Sequence, residues 1–346
     1  MIEGSLLRVL ITRLSAVGDC IHSLPIAAAI RARYPRAMIA WCCESGAAPL
    51  VKSHPAVNRM VVLKKGWLKS PTAIHRARRD LQALKCDIVI DPQSLSKSAI
   101  VGWLSGARTR IGFAPPQGRE VAPWLHTHRI ERTATHVVDA YLELLQPLNI
   151  DKPAARFNLR PDDAAHSSID KFIFHSNLHN GYAVINPGAG WESKIWPTER
   201  YALVAKHLGH SAGLKSAVVW AGEREKQMAE QIVANSDGHA VLAPKTSLLE
   251  LACLVKSAHF FVGSDTGPMH LAAAFEVPCV AMFGPTRPEV CGPYGTGHVT
   301  LQKLHHGDRG SDNSAMQAIG VHDVCDACDS ILARRARSLP TTRRAA

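Results

Sequence analysis

The feature that most constrains the fold is a repeated alternation of short, almost wholly apolar runs with longer helical stretches. In the first half the runs fall at about 6–12 (LLRVLIT), 37–42 (AMIAWC), 87–91 (DIVID) and 107–113 (ARTRIGF). In the second half they fall at 182–186 (YAVIN), 216–221 (SAVVWA), 259–262 (HFFV) and 278–283 (VPCVAM). Runs this short, apolar at both odd and even positions, suit parallel strands buried on both faces. Helical patterns separate them. One covers about 19–33 and stops before Pro35, and one covers 198–209 with Thr198 as a cap candidate after Pro197. Ser247 with Glu250 has capping-box spacing ahead of LLELACLVK, and 267–275 follows Asp265-Thr266. Alternation of this kind predicts an α/β protein of parallel sheets with right-handed crossovers.

The pattern breaks at 151–181, where DKPAARFNLRPDDAAHSS is polar and holds two prolines, and restarts at Tyr182. A chain of 346 residues exceeds one ordinary core. The expected division is a domain over 1–160, a second over 161–333, and a basic, disordered tail over 334–346. Two α/β units facing each other would enclose a ligand cleft. The stretch 303–315 reads as a polar loop. No apolar run reaches the roughly 18 residues that a membrane-spanning helix needs. The N-terminus lacks a signal-peptide layout, so a cytoplasmic location is expected. The nine cysteines are odd in number and scattered through apolar runs, which suits reduced, buried thiols. Cys325 and Cys328 alone have CxxC spacing and lack a second pair, so a helix face is a better reading than a metal or redox site. The net charge of +11 is uneven: residues 1–150 hold 20 of the 40 Lys and Arg but 10 of the 29 Asp and Glu. A basic half suits an anionic membrane face, a phosphorylated acceptor or nucleic acid, or is simply a soluble surface.

Five segments carry chemistry. Thr12–Asp19 (TRLSAVGD) joins the first strand to the first helix; it is neither a GxGxxG nor a GxxxxGK[ST] loop. Asp19 reads as a helix cap or as a carboxylate that takes a proton from an attacking hydroxyl. Asn186–Pro197 (NPGAGWESKIWP) offers small residues and Lys194, a combination suited to a diphosphate. Gly263–His270 (GSDTGPMH) opens a helix whose N-terminus can receive phosphate, with Ser264, Thr266 and His270 as further donors and Asp265 as an acceptor for sugar hydroxyls. Glu223, in WAGERE, is placed to bind a ribose diol or simply to start a helix. Lys97, in DPQSLSKS, is either a surface residue or a compact charge for an acceptor phosphate.

In this order the segments SAVGDCIHSLP, IDPQSLSKSA, INPGAGWESKIWP, WAGERE and VGSDTGPMHLAAAFEVPCVAMFGPTRP resemble the ADP-heptose lipopolysaccharide heptosyltransferases, glycosyltransferase family 9, over about residues 6–335. The resemblance implies a GT-B fold: two Rossmann-like domains, the first for the acceptor and the second for the nucleotide sugar. It implies Asp19 as catalytic base and Lys194 as the lysine holding the donor diphosphate. It places Asp265 on the donor sugar, Thr266, Gly267 and His270 in the phosphate loop with Ser264 beside them, and Glu223 on the ribose. Arg13 and Lys97 fall where the family looks toward an anionic, lipid-linked glycan acceptor; the transient contact expected at the inner membrane surface is read from the basic charge of the first half. No cofactor is implied, the donor ADP-heptose being a substrate, and no DxD motif is present to hold a metal. Where the family often has a Cys-rich segment before its last helix, this chain has HHGDRGSDNSAMQAIGVHDV. Rival readings are a same-fold transferase with another donor or glycan, a nucleotide-sugar epimerase, and a non-catalytic sugar-nucleotide binder. A nucleic-acid role lacks any aromatic-interleaved or helix-turn-helix pattern.

Overall fold

The structure, a computed structural model, describes residues 6–304 and 312–338. The chain divides into two compact units, Met1–Arg160 and Pro161–Ala346. The first holds six strands: β1 (Arg8–Thr12), β2 (Met38–Glu44), β3 (Arg59–Leu63), β4 (Ile88–Asp91), β5 (Thr109–Phe113) and β6 (His128–Ile130). The second holds β7 (Tyr182–Asn186), β8 (Lys215–Val218), β9 (Ala240–Leu242), β10 (Phe260–Ser264), β11 (Cys279–Met282) and β12 (Val299–Leu301). Each unit forms one parallel six-stranded sheet, ordered β3-β2-β1-β4-β5-β6 and β12-β11-β10-β7-β8-β9.

The continuous apolar runs have a direct cause. In β7, Ala183 and Ile185 pack into one core cluster while Tyr182 and Val184 pack into another. Phe260 and Val262 of β10 likewise oppose Phe261, and Val280 and Met282 of β11 oppose Cys279 and Ala281. Successive side chains alternate between faces, and both faces are covered by helices.

Four strands escape the sequence pattern: β3, β6, β9 and β12. They are the four sheet edges. An edge strand pairs on one side only and tolerates polar residues, as in His128-Arg129-Ile130 of β6; β9 and β12 are only three residues long, and sequence reasoning missed the apolar run 60–63 of β3. The first helix begins at Val17, two residues before the expected start. Thr198 is not a cap: the helix Thr198–Ala212 already includes it, Pro197 is the preceding residue, and no side chain caps the turn. The Ser247–Glu250 capping box is formed reciprocally, at 3.2 and 2.7 Å. The expected tail from 334 is still helical through Ser338, in a helix Val321–Ser338 that buries Cys325 and Cys328 against the second core. Residues 339–346 and most of the His- and Asp-rich stretch, 305–311, lie outside the described residues. No described helix is long and apolar enough to cross a membrane.

Trp196 anchors the second unit. It is fully buried, its Nε1 donates to the Ile319 carbonyl at 3.0 Å, and its ring meets Tyr201 edge to face at 4.8 Å. Tyr201 is equally buried, but its hydroxyl has no partner among the described residues. Trp196→Ala should lower the unfolding free energy by about 3–5 kcal/mol. Tyr201→Phe, which removes an unsatisfied buried hydroxyl, should be neutral or slightly stabilising. Urea unfolding of the two variants checks the contrast.

Candidate functional site

In both sheets the strand order reverses once, between β1 and β4 and between β7 and β10. At such a point the loops leaving the strand ends diverge and open a crevice, the favoured ligand position in open α/β sheets. The chemical segments lie there. Arg13–Asp19 follows β1 and Pro92–Lys97 follows β4, while Pro187–Lys194 follows β7 and Asp265–His270 follows β10.

In the first unit, Asp19 occupies the first turn of the helix Val17–Arg33. Its Oδ2 accepts from the Ala16 N–H at 3.2 Å and from the Arg13 guanidinium at 2.7 Å. Among the described residues its Oδ1 accepts no hydrogen bond, and the carboxylate is 42% exposed. Arg13 is buried. It also donates to the Pro92 carbonyl at 3.3 Å and lies 5.4 Å from the centre of the Tyr141 ring. Burial works against its charge, but the facing Tyr141 and Asp19 outweigh it, so its pKa lies above the ordinary arginine value. The guanidinium expected to look toward an acceptor is thus turned onto Asp19. Lys97 is ion-paired with Glu44 at the end of β2 and is about one-third exposed.

A buried network orders the loop after β4. The Asp91 carboxylate accepts from the N–H groups of Gln93 and Ser94 through Oδ1, and from Ser98 Oγ through Oδ2. Oδ2 also meets His126 Nε2 at 3.1 Å, and both side chains are 1% exposed. The loop in turn clamps the one after β1: Gln93 Oε1 accepts the Leu14 N–H at 2.9 Å. Sequence reasoning missed His126 and gave Asp91 no role, because their pairing spans 35 residues.

In the second unit, Asp265 is the hub. Burial alone would raise its pKa. The hydrogen bond and charge of His270 (3.0 Å), with those of Lys194 (2.6 Å), prevail and hold it well below the usual carboxylate range. Thr286 Oγ1 donates to the same Oδ2 at 2.8 Å. Lys194 Nζ also donates to the Asp265 carbonyl at 3.2 Å and sits 4.5 Å over the Trp191 ring. An ammonium has three N–H donors, so one remains for an anion. Thr266 Oγ1 donates to the Ser264 carbonyl and accepts from Asn186 Nδ2, both at 3.2 Å. The Ser264 hydroxyl is wholly buried without a partner among the described residues. Gly267 and Met269 head the helix Gly267–Ala274, where first-turn N–H groups find no intrahelical carbonyl and the dipole is positive.

Glu223 stands apart from this hub. It is exposed at the start of the helix Gly222–Ala234, on the rim of a pocket of about 180 Å³ lined also by Gly188, Ile195 and Met228. Glu225 forms the pocket floor. Its Oε2 accepts the Ala221 N–H at 2.7 Å, and burial raises its pKa. A Cβ on Gly188 would fall 2.2 Å from the Glu225 carboxyl carbon, so a larger residue there would push that carboxylate out of its present position. Sequence reasoning gave Asn186 and Thr286 no role of their own, although both lie within the segments NPGAGWESKIWP and VGSDTGPMHLAAAFEVPCVAMFGPTRP. Among the described residues no cluster of His, Cys, Asp and Glu is arranged to hold a metal ion.

Comparison with known proteins fits this architecture. Residues 74–315 match the family model for glycosyltransferase family 9 (heptosyltransferase). The chain is 30% identical over 301 residues to lipopolysaccharide heptosyltransferase 1 of Salmonella typhimurium, covering 84% of this chain and 92% of that protein. Its fold is similar to a family 9 glycosyl transferase from Veillonella parvula (TM-score 0.82, 22% identity, 95% and 97% of the two chains). It is also similar to E. coli heptosyltransferase WaaC with ADP-2-deoxy-2-fluoro heptose (TM-score 0.76, 25% identity, 94% and 99%). The two Rossmann-like sheets are those of the GT-B class. The chain belongs to glycosyltransferase family 9, the heptosyltransferases, and is a glycosyltransferase of the lipopolysaccharide heptosyltransferase family.

The depressed Asp265 pKa sets an acid dependence. An unfolded aspartate titrates near 3.9, so the folded carboxylate contributes its full stability above about pH 4 and loses it as pH falls toward its lower folded value. The stability gap between wild type and Asp265→Asn, read by urea unfolding, should be constant from about pH 5 to pH 7 and shrink below about pH 4.

Proposed function

We propose that this enzyme transfers a heptose from ADP-heptose to an anionic, lipid-linked lipopolysaccharide inner core, in one inverting displacement with Asp19 as general base. The observation that carries this reading is the Asp19 carboxylate itself. Arg13 and the Ala16 N–H occupy Oδ2 and hold the carboxylate in place, while Oδ1 accepts no hydrogen bond among the described residues. As the acceptor hydroxyl oxygen bonds to the anomeric carbon, its proton passes to Oδ1. The bond from that carbon to the phosphate oxygen breaks, and ADP departs with the electron pair.

The departing diphosphate gains negative charge. The third Lys194 N–H and the helix N-terminus at Gly267 supply positive charge for it, the role a divalent cation fills in other transferases, so no metal is required. His270 and Thr266 lie in the same phosphate loop. Asp265, fixed by Lys194, His270 and Thr286, presents a carboxylate suited to the donor sugar hydroxyls. Glu223, on the pocket rim, is placed for a ribose diol. The relatives named for lipopolysaccharide and the neighbour holding an ADP-heptose analogue support the choice of donor and acceptor. The basic first unit suits such an acceptor and work at the cytoplasmic face of the inner membrane.

The test is ADP release from ADP-heptose with a heptose-deficient lipopolysaccharide acceptor. Asp19→Asn should lower kcat by roughly 100-fold or more with ADP affinity unchanged. Turnover that survives the substitution would make Asp19 a helix cap. Conversion of the donor without acceptor or ADP release would point to an epimerase.

A further inference from the structure

One surface of the first unit serves no purpose in the chemistry described above. Trp124 is 85% exposed, Trp103 56% and Val121 48%. They lie on neighbouring elements of the first unit. The short helix Ala122–Leu125 packs along the helix Ser96–Leu104. At one end the Val121 N–H donates to Ser96 Oγ at 3.3 Å. At the other the Leu125 carbonyl accepts from Arg110 Nε at 2.7 Å, and the Arg110 stem lies beside Gly102. Trp103 lies seven residues, two turns, after Ser96, on the same stripe of its helix. Ala122 and Pro123 are buried, so the short helix is anchored and holds Trp124 outward.

The surround is cationic. From residue 98 to 130 the chain carries Arg108, Arg110, Arg119 and Arg129 against the single acid Glu120, while Lys97 is ion-paired with Glu44. Arg108, Arg119 and Arg129 are exposed. Glu120 is tied to the Ser96 N–H at 3.0 Å, which partly offsets its charge. The bias extends to the whole unit: residues 1–160 hold 23 Lys and Arg and 11 Asp and Glu, while 161–346 hold 17 and 18.

We propose that the Trp103–Val121–Trp124 face is a docking surface for an anionic lipid bilayer. Indole rings combine an apolar body with a polar N–H and favour the headgroup level of a membrane. Arginines around them meet anionic headgroups and are screened by salt. A protein partner of ordinary composition would supply apolar cover but not the matching negative field. The proposal rests on the lipid-linked acceptor read above, because an enzyme held at the surface meets that acceptor in two dimensions. Attachment through three side chains and a few charges is weak and reversible.

The test is co-sedimentation of the full chain with vesicles of phosphatidylglycerol and phosphatidylethanolamine, with pure phosphatidylcholine vesicles as control. Neither donor nor acceptor is added, so the readout is independent of transfer. Wild type should bind the anionic vesicles at low salt, release at high salt, and show a blue-shifted tryptophan emission when bound. The double variant Trp103→Ser/Trp124→Ser should bind about 10-fold or more weakly, with an unchanged thermal unfolding curve and unchanged turnover on a delipidated, soluble core acceptor. Equal vesicle binding by the variant would overturn the proposal, as would no binding by the wild type. Self-association of the wild type that the variant lacks, without vesicle binding, would assign the face to a second copy instead. Vesicle binding without any transferase activity would leave this surface standing and remove the catalytic reading.

Discussion

The buried contact between Lys194 and Asp265 is the interaction on which the second unit depends. A carboxylate that is 6% exposed is costly to keep ionised unless other groups replace its lost hydration. Here Lys194, His270 and Thr286 do so, and they come from three different strand-to-helix connections, after β7, β10 and β11. Satisfying one charge therefore fixes three loops. A pair of this kind is a weak source of net stability but a strong source of specificity, since removing either partner strands the other. It leaves a cationic, partly satisfied ammonium beside a helix N-terminus, the arrangement a diphosphate requires.

The first unit repeats the geometry with a different outcome. Its sheet also reverses order at its first strand, and a carboxylate–cation pair again sits in the loops beyond. But Arg13 is buried while Asp19 is not. The charge that pays desolvation is the one that never loses its proton, and the carboxylate keeps an oxygen free. Behind the pair, the Asp91–His126 network holds the loop that clamps Leu14 and Arg13. One unit thus uses an ion pair to seat an anion, and the other uses one to aim a base.

Much of this was legible in the chain. The eight inner strands announce themselves because each is buried on both faces, and the loops at both reversal points carry residues whose chemistry is unusual enough to notice. The four edge strands were not read: exposed Arg129 breaks β6, β9 and β12 are three residues long, and the apolar run of β3 was missed. Thr198 looked like a cap because Pro197 precedes it, yet the backbone turns one residue earlier. Pairings across long separations were invisible: Lys97 with Glu44 and His126 with Asp91 depend on strand order, which local sequence does not encode; the turning of Arg13 onto Asp19 is local and depends on the loop conformation. Trp103 and Trp124 carry no signal in the sequence, and only the fold shows that the described chain leaves most of each exposed.

The most direct measurement is calorimetric titration of ADP into wild type and Lys194→Gln, with folding of the variant checked by circular dichroism. If the Asp265 hub seats a nucleoside diphosphate, wild type binds ADP and the variant binds it about 10- to 100-fold more weakly, a loss of about 1.4–2.7 kcal/mol. Equal affinity in a folded variant, or no binding by the wild type, would contradict the assignment of this hub to the donor.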